Sequence, residues 1–150
     1  MNKTKVLFLC TGNSFRSQMA EALLRKHAGE RFEVYGAGTH PKGIHPFTRQ
    51  VMSEIGEDLE GHYSKDVKEF LGNHHFGYVI TLCSDAEQNC PTTFLGASRR
   101  LHWGFDDPAA VQGGEAEKLE KGRQVRDQIE ARIREWISDP MFAPDGSGAS

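Results

Sequence analysis

The feature that most constrains this chain is a cysteine followed six positions later by an arginine, between an apolar run and a helix-prone segment. Cys10 ends the apolar run Val6–Leu9, and Arg16 lies just before Gln18–Lys26. The residues between them include three turn formers, Gly12, Asn13 and Ser14. Backbone N–H groups in such a loop, and at the start of the following helix, favour negative charge. The stretch therefore predicts a cradle for a tetrahedral oxyanion around the cysteine sulfur.

Each residue of this cradle has a predicted role. Arg16 can donate a bidentate pair of hydrogen bonds to two oxyanion oxygens. The electrostatic field of the loop N–H groups and Arg16 favours the thiolate of Cys10, which is the nucleophilic form. Ser17 is placed to donate a hydrogen bond to that sulfur. The predicted oxyanion contacts are Thr11, Gly12, Asn13, Ser14, Phe15 and Arg16. The alternative interpretation is a buried cysteine at a strand end and an unrelated surface arginine.

Length and composition indicate a single globular domain. The chain has 150 residues, 37% of them hydrophobic and 26% charged, which is typical of a soluble protein with a full core. We expect residues 1–138 to form one α/β domain. Residues 139–150, rich in proline, glycine and serine, are expected to form a flexible tail.

Charge and cysteine content narrow the class of protein. A formal net charge of −3 argues against a nucleic-acid binder. No apolar run approaches the roughly 20 residues that span a bilayer, and the N-terminus lacks a signal-peptide core. We therefore expect a cytoplasmic protein. In that compartment, three cysteines suggest reactive thiols more than structural disulfides. The seven histidines show no metal-ligand spacing, so neither a metal nor another cofactor is expected.

Hydrophobic patterning predicts strands that alternate with helices. The expected strands are Lys5–Cys10, Phe32–Gly36, Tyr78–Leu82 and Arg100–Trp103; the expected helices are Ser17–Ala28, Pro46–Ile55, Lys65–Leu71 and Glu115–Ser138. In the last helix one apolar stripe is expected to face the core: Val125, Ile129, Ile133, Trp136 and Ile137. This alternation predicts an open four-stranded parallel sheet with helices on both faces.

Three residues with useful chemistry fall at or just past predicted strand ends. Cys10, Cys83 and Asp107 each follow a different strand. Because ligands of such sheets bind at the carboxyl ends of the strands, we expect the three side chains to share one edge. A competing interpretation of Asp107 is a simple Asp-Pro turn.

The spacing of Cys83 and Cys90 suggests a redox switch. On an intact helix their Cα atoms would be about 10 Å apart, whereas a disulfide needs roughly 4.4–6.8 Å. Oxidation would therefore have to unwind residues 84–89, whose composition makes a poor helix. The alternative is two unrelated buried cysteines.

The loop resembles the Cys-x-x-Asn-x-x-Arg-Ser signature of the low-molecular-weight protein tyrosine phosphatase superfamily. Three segments narrow the resemblance to the thioredoxin-coupled arsenate reductases of that superfamily: Cys10–Glu21, Thr81–Pro91 and His102–Pro108. The resemblance covers roughly residues 5 to 137. It implies a low-molecular-weight phosphatase-like fold.

The resemblance also implies a reaction. Cys10 attacks arsenate, and Asp107, rather than Asp106, supplies the proton to the leaving oxygen. Cys83 then attacks Cys10 and releases arsenite, and Cys90 attacks Cys83, which leaves a Cys83–Cys90 disulfide for thioredoxin to reduce. Phosphate and sulfate would compete with arsenate, and a monomer is expected.

At two positions the sequence departs from the pattern of these reductases. Phe15 stands where such reductases often carry another cysteine. Lys65 stands where some members have an aspartate at a potassium site, so its ammonium is expected to replace the cation and pair with Glu21.

One rival is a low-molecular-weight phosphotyrosine phosphatase, whose activity we expect only as a weak side reaction. The other is a non-catalytic redox- or oxyanion-sensing domain.

Overall fold

The computed structural model describes residues 3–70, 72, 75–83 and 97–139. In chain order its main elements are β1 (Thr4–Cys10), α1 (Arg16–Ala28), β2 (Phe32–Gly38), α2 (Pro46–Ser53), β3 (Phe76–Thr81), β4 (Ala97–His102) and α3 (Glu115–Ile137). Two short 3-10 helices are also present, Val67–Phe70 and Pro108–Ala110. Among these residues, no helix is long and apolar enough to cross a membrane.

The four strands form one parallel sheet in the order β2-β1-β3-β4. Cys10 pairs with Gly38 on one side of β1, and Leu9 pairs with Thr81 on the other. Thr81 in turn pairs with His102 of β4. This confirms the predicted four-stranded parallel sheet and brings the carboxyl ends of all four strands to one edge.

Alternation along β1 divides the core between the two faces of the sheet. Val6, Phe8 and Cys10 belong to the larger apolar cluster, which also contains the buried sides of α1 and α3. The intervening Leu7 and Leu9 belong to a smaller cluster that includes Phe70, Phe76 and Val79. Because successive side chains of a strand point to opposite faces, β1 is buried on both sides. This burial anchors Cys10 at the end of a rigid central strand.

The apolar stripe predicted for α3 lies in the core. Val125, Ile129, Ile133 and Trp136 are buried, and Ile137 packs against the same cluster. The Trp136 ring lies 5.4, 5.1 and 5.5 Å from the rings of three aromatic residues, Phe32, Tyr78 and Trp103. Such aromatic pairs contribute beyond the area they bury, so they fix the C-terminal half of α3 against the sheet.

Several element boundaries differ from the sequence-based expectation. The N–H of Gly38 donates to the carbonyl of Lys65 at 2.8 Å, and β2 continues to Gly38 rather than ending at residue 36. The helix expected over 65–71 is only the 3-10 helix Val67–Phe70, because Lys65 donates its N–H to Asn13 and Asp66 forms a parallel β-bridge with Gly38. Strand β4 begins earlier than expected, at Ala97. The tail beyond Asp139 lies outside the described residues.

Candidate active site

The loop between β1 and α1 is held from behind by the segment 39–48. Four loop carbonyls, those of Cys10, Thr11, Gly12 and Ser14, accept hydrogen bonds from the N–H groups of Thr39, His40, Lys42 and His45, respectively, at 2.8–3.3 Å. The hydroxyl of Thr48 also donates to Ser14 O at 2.8 Å. A peptide that turns its carbonyl outward turns its N–H the other way, so these bonds orient loop N–H groups toward the inner side.

The sulfur of Cys10 lies among hydrogen-bond donors. The N–H of Asn13 donates to Sγ at 3.2 Å, and Ser17 Oγ lies 3.0 Å from the same atom. Asn13 Nδ2 donates to Ser17 Oγ at 2.6 Å, so the Ser17 hydroxyl hydrogen is available to the sulfur. Cys10 is buried and is not in a disulfide. Two donors directed at one sulfur are suited to a thiolate.

Asn13 holds the loop in shape. Its φ of 47° is in the left-handed region, which asparagine tolerates better than most residues. Its Oδ1 accepts from the Lys65 N–H at 2.8 Å and from Gln18 Nε2 at 3.0 Å. Asn13 is fully buried and does not line the cavity described below, although the other predicted loop residues do.

A histidine continues this network toward the surface. His62 Nδ1 lies 3.0 Å from Gln18 Oε1, and its Nε2 lies 3.4 Å from Arg25 Nη1. Because Oε1 can only accept and Arg25 can only donate, we assign the neutral tautomer with hydrogen on Nδ1. Burial lowers the pKa of His62; the Glu21 carboxylate raises it, and Arg25, Lys65 and Arg49 lower it further. The ring therefore favours its neutral form.

Arg16 reaches across the ends of the neighbouring strands. The side chain is 3% exposed, and Nη1 donates to Phe105 O at 3.1 Å and to Leu82 O at 3.5 Å. Its Nη2 lies 3.6 Å from Asp107 Oδ2. The guanidinium thus links the loop of β1 to the segments that follow β3 and β4.

The structure distinguishes the two adjacent acidic residues. Asp107 Oδ1 accepts the N–H of Ala109 at 3.0 Å and caps the 3-10 helix Pro108–Ala110. Its carboxylate borders the cavity beside Arg16. Asp106 points elsewhere and pairs with Lys121 at 2.8 Å. Of the two, only Asp107 lines the cavity.

These groups surround a cavity of about 410 Å³. Its lining residues are Cys10, Thr11, Gly12, Ser14, Phe15, Arg16, Lys42, Gly43, Ile44, His45, Pro46, Asp107 and Ala109. His45 Nδ1 accepts the N–H of Phe47 at 3.0 Å and caps α2. Burial lowers the pKa of His45, as does the Lys118 cation, while the Asp107 carboxylate raises it.

Lys65 lies behind the loop and pairs with a buried carboxylate, as predicted. Its Nζ is 3.7 Å from Glu21 Oε1 and donates to Tyr63 O at 3.1 Å. The ammonium also lies 4.8 Å from the centre of the Tyr63 ring. Arg25 Nη2 holds the other carboxylate oxygen of Glu21 at 2.8 Å.

Cys83 follows the strand next to that of Cys10. Leu82 donates its N–H to Leu9 O at 2.8 Å, so the pairing with β1 continues one residue beyond Thr81, and Cys83 comes next. Cys83 is fully buried and is in a disulfide bond. Cys90 and the predicted switch segment 84–89 lie outside the described residues. Within the described parts of the chain, no three His, Cys, Asp or Glu side chains are grouped as metal ligands.

Sequence reasoning missed one wall of the cavity. Lys42, Ile44 and His45 lie in the segment that backs the loop, far from the cysteine motif in sequence. The only local signal was the pair of prolines around them, of which Pro41 breaks the chain and Pro46 begins α2.

Comparison with known proteins agrees with this geometry. The model of the family described as low molecular weight phosphotyrosine protein phosphatase matches residues 5–141. The chain belongs to this phosphatase family. Within the family it is similar to proteins named arsenate reductase. One, from Bacillus licheniformis, is 43% identical over 136 residues, which cover 91% of this chain and 96% of the relative.

Solved structures show the same likeness to arsenate reductases. A structure titled "An arsenate reductase in oxidized state" has a TM-score of 0.74 at 30% identity and covers 90% of this chain and 97% of its own. The Corynebacterium glutamicum thioredoxin-dependent arsenate reductase has a TM-score of 0.62 at 30% identity. That match covers 91% of this chain and 61% of the Corynebacterium chain.

Proposed function

We propose that this protein reduces arsenate to arsenite, with Cys10 as nucleophile and with Cys83 and Cys90 carrying the oxidation away. The observation that carries the proposal is the free Cys10 thiol, which accepts the Asn13 N–H at 3.2 Å in a cavity that also holds Arg16 and Asp107. A thiolate among fixed donors and a cation is suited to attack a tetrahedral oxyanion. The arsenate reductases at 43% identity support arsenate as that oxyanion.

In the first step, the Cys10 thiolate attacks arsenic and one As–O bond breaks. Asp107 gives its proton to the departing oxygen, which leaves as water. The loop N–H groups and the Arg16 guanidinium stabilise the negative charge on the remaining oxygens. Asp107 Oδ2 at 3.6 Å from Arg16 supports this role, because a group bound to Arg16 would also be within its reach.

In the second step, the Cys83 thiolate attacks Cys10 Sγ. The electron pair of the As–S bond stays on arsenic, which is reduced from As(V) to As(III) and leaves as arsenite, while the two sulfurs are oxidised to a disulfide. Cys90 then attacks Cys83, the Cys10 thiolate leaves, and the dithiol of thioredoxin reduces the Cys83–Cys90 disulfide. The disulfide-bonded state of Cys83 and the thioredoxin-dependent relative from Corynebacterium support this relay.

Phosphotyrosine hydrolysis is less well supported. Two alanines, Ala109 and Ala110, follow Asp107-Pro108, where a phosphatase would benefit from an aromatic ring to stack on tyrosine. Phosphate and arsenate share one shape and charge, so the cavity can also accept a phosphate ester. Because the aromatic ring is missing, we expect only weak hydrolysis of p-nitrophenyl phosphate. We also expect the protein to act as a cytoplasmic monomer.

One reconstituted assay tests the activity. Thioredoxin, thioredoxin reductase and NADPH are supplied, and NADPH oxidation on addition of arsenate is compared with hydrolysis of p-nitrophenyl phosphate. Cys10→Ser should abolish both. Asp107→Asn should lower kcat on the order of 100-fold, the usual loss for a general acid. Asp106→Asn is the matched control and should retain most of the activity, because that carboxylate pairs with Lys121.

The relay has a separate test. Cys90→Ser should stop after one turnover as a Cys10–Cys83 disulfide, which peptide mass mapping detects. Sustained turnover of Cys90→Ser with thioredoxin as the sole reductant would contradict the relay and leave the role of Cys10 intact.

A further inference from the structure

A lysine at the rim of the cavity has no role in the steps above. Lys42 lines the cavity together with Cys10, Gly12 and Arg16. Lys42 is exposed, and among the described residues no carboxylate oxygen lies within 4.0 Å of its ammonium nitrogen. A lysine that faces an anion-binding loop without an acidic partner is available to a ligand.

The backbone and the stem of Lys42 fix its place. The Lys42 N–H donates to Gly12 O at 3.0 Å. A Cβ built on Gly12 would lie 3.2 Å from Lys42 Cδ, 3.3 Å from Cγ and 3.5 Å from Cε. The aliphatic stem therefore runs over the loop in van der Waals contact with it, and the ammonium is one bond beyond Cε. Such a stem can pack on the loop while its charge stays at the mouth.

The negative charge of a bound substrate would favour a second cation in the cavity. A bound arsenate dianion beside a Cys10 thiolate would bring about three negative charges into one site. Arg16 is the buried cation there, and it already donates to two carbonyls and lies 3.6 Å from Asp107. Lys42 is the other lysine or arginine among the lining residues. It contacts the loop at Gly12, whereas Arg16 closes the loop at its other end.

We propose that Lys42 is a second cationic ligand of the oxyanion, and that its ammonium binds an oxygen that faces the mouth of the cavity. This inference rests on the proposed function, since it takes the cavity to be the oxyanion site. Lys42 contacts the anion in the ground state and in the transition state alike. It therefore acts on KM and on association more than on kcat.

The test measures binding apart from turnover. Titration calorimetry with inorganic phosphate, on the reduced full-length protein, gives the dissociation constant, and the thioredoxin-coupled assay gives KM and kcat for arsenate. Lys42→Gln should raise both the phosphate dissociation constant and the arsenate KM about tenfold, or about 1.4 kcal/mol, with kcat within about twofold. Lys42→Arg should recover most of the binding, because its charge is retained.

Lys68→Gln is the matched control, since it removes the same charge from the exposed surface of the 3-10 helix Val67–Phe70. It should leave phosphate binding unchanged. Raising ionic strength should weaken phosphate binding to the wild type more than to Lys42→Gln, because salt screens an exposed charge.

The outcomes separate the two proposals. If Lys42→Gln binds phosphate as tightly as the wild type, the inference about Lys42 fails while the oxyanion site stands. If only the KM for thioredoxin changes, Lys42 serves a protein partner and the inference fails as well. If the wild type binds no phosphate and turns over no arsenate, the proposed function fails first and the inference about Lys42 with it.

Discussion

Phe15 and Gly122 form a pair whose energetic coupling can be calculated from the structure. Phe15 begins the turn into α1 and is 3% exposed. A Cβ added to Gly122 of α3 would lie 3.0 Å from Phe15 Cζ, 3.3 Å from Phe15 Cε1 and 3.4 Å from Val51 Cγ1. The glycine therefore leaves the space that the ring occupies, and the ring holds the loop between β1 and α1 against α3.

The expected magnitudes follow from this contact. Phe15→Ala should lower the free energy of unfolding by about 3–5 kcal/mol, because it empties a buried site. Gly122→Ala should gain about 1 kcal/mol of helix propensity and lose about 1–3 kcal/mol to overpacking, for a small net loss. In the Phe15→Ala background the overpacking disappears, so Gly122→Ala should stabilise by about 1 kcal/mol. The coupling energy should therefore be about 1–3 kcal/mol.

Urea unfolding of the four reduced proteins, followed by far-ultraviolet circular dichroism, measures this cycle. The slopes of the free energy against urea should agree, so that the differences report stability rather than compactness. If the two changes in the free energy of unfolding add to within about 0.5 kcal/mol, the reasoning is refuted. Additivity would mean that the Phe15 ring and a methyl group at position 122 do not occupy the same space.

Three further predictions concern the scaffold around the loop. Added potassium should leave the melting temperature and the arsenate KM of the wild type nearly unchanged. Lys65→Met should cost about 3 kcal/mol by removing one partner of a buried pair, and Lys65→Asp should create a potassium dependence visible by thermal melting. The pKa of His62 is lowered by burial, so the unfolded state binds more protons and stability falls as pH drops below about 6.5. His62→Asn keeps a donor for Gln18 and should reduce that loss in acid unfolding curves; an unchanged curve would exclude His62 as a source. Gly38→Ala should lower kcat/KM on the order of 100-fold, because its Cβ would lie 2.6 Å from Thr11 O and displace the loop. Full activity of this variant would contradict the close approach of β2 to the loop.

The sequence by itself determined the order of elements and the chemistry of the loop. The continuous apolar run of β1 and the apolar stripe of α3 are features of local sequence, so the parallel sheet and the burial of Val125, Ile129 and Ile133 could be predicted. The contact of Ser17 with Cys10 could also be predicted, because the two residues are only seven positions apart, across one loop and the start of α1. Since the strands are parallel, their carboxyl ends had to share an edge, which brought Asp107 toward the loop of Cys10.

Tertiary structure decided what depends on residues distant in the chain. The resemblance already favoured Asp107 over Asp106, and the tertiary structure supplies the reason: Asp107 Oδ2 lies 3.6 Å from Arg16 Nη2, whereas Asp106 pairs with Lys121. The cavity wall with Lys42 and His45 is attached to the loop through backbone hydrogen bonds, which are available to any residue type and leave no mark on composition. Lys65 lies outside the 3-10 helix, where a helix was predicted, because its N–H bonds to Asn13, 52 residues earlier. Local propensity determines which elements form, and long-range hydrogen bonds and charge pairs determine where they end and which side chains meet.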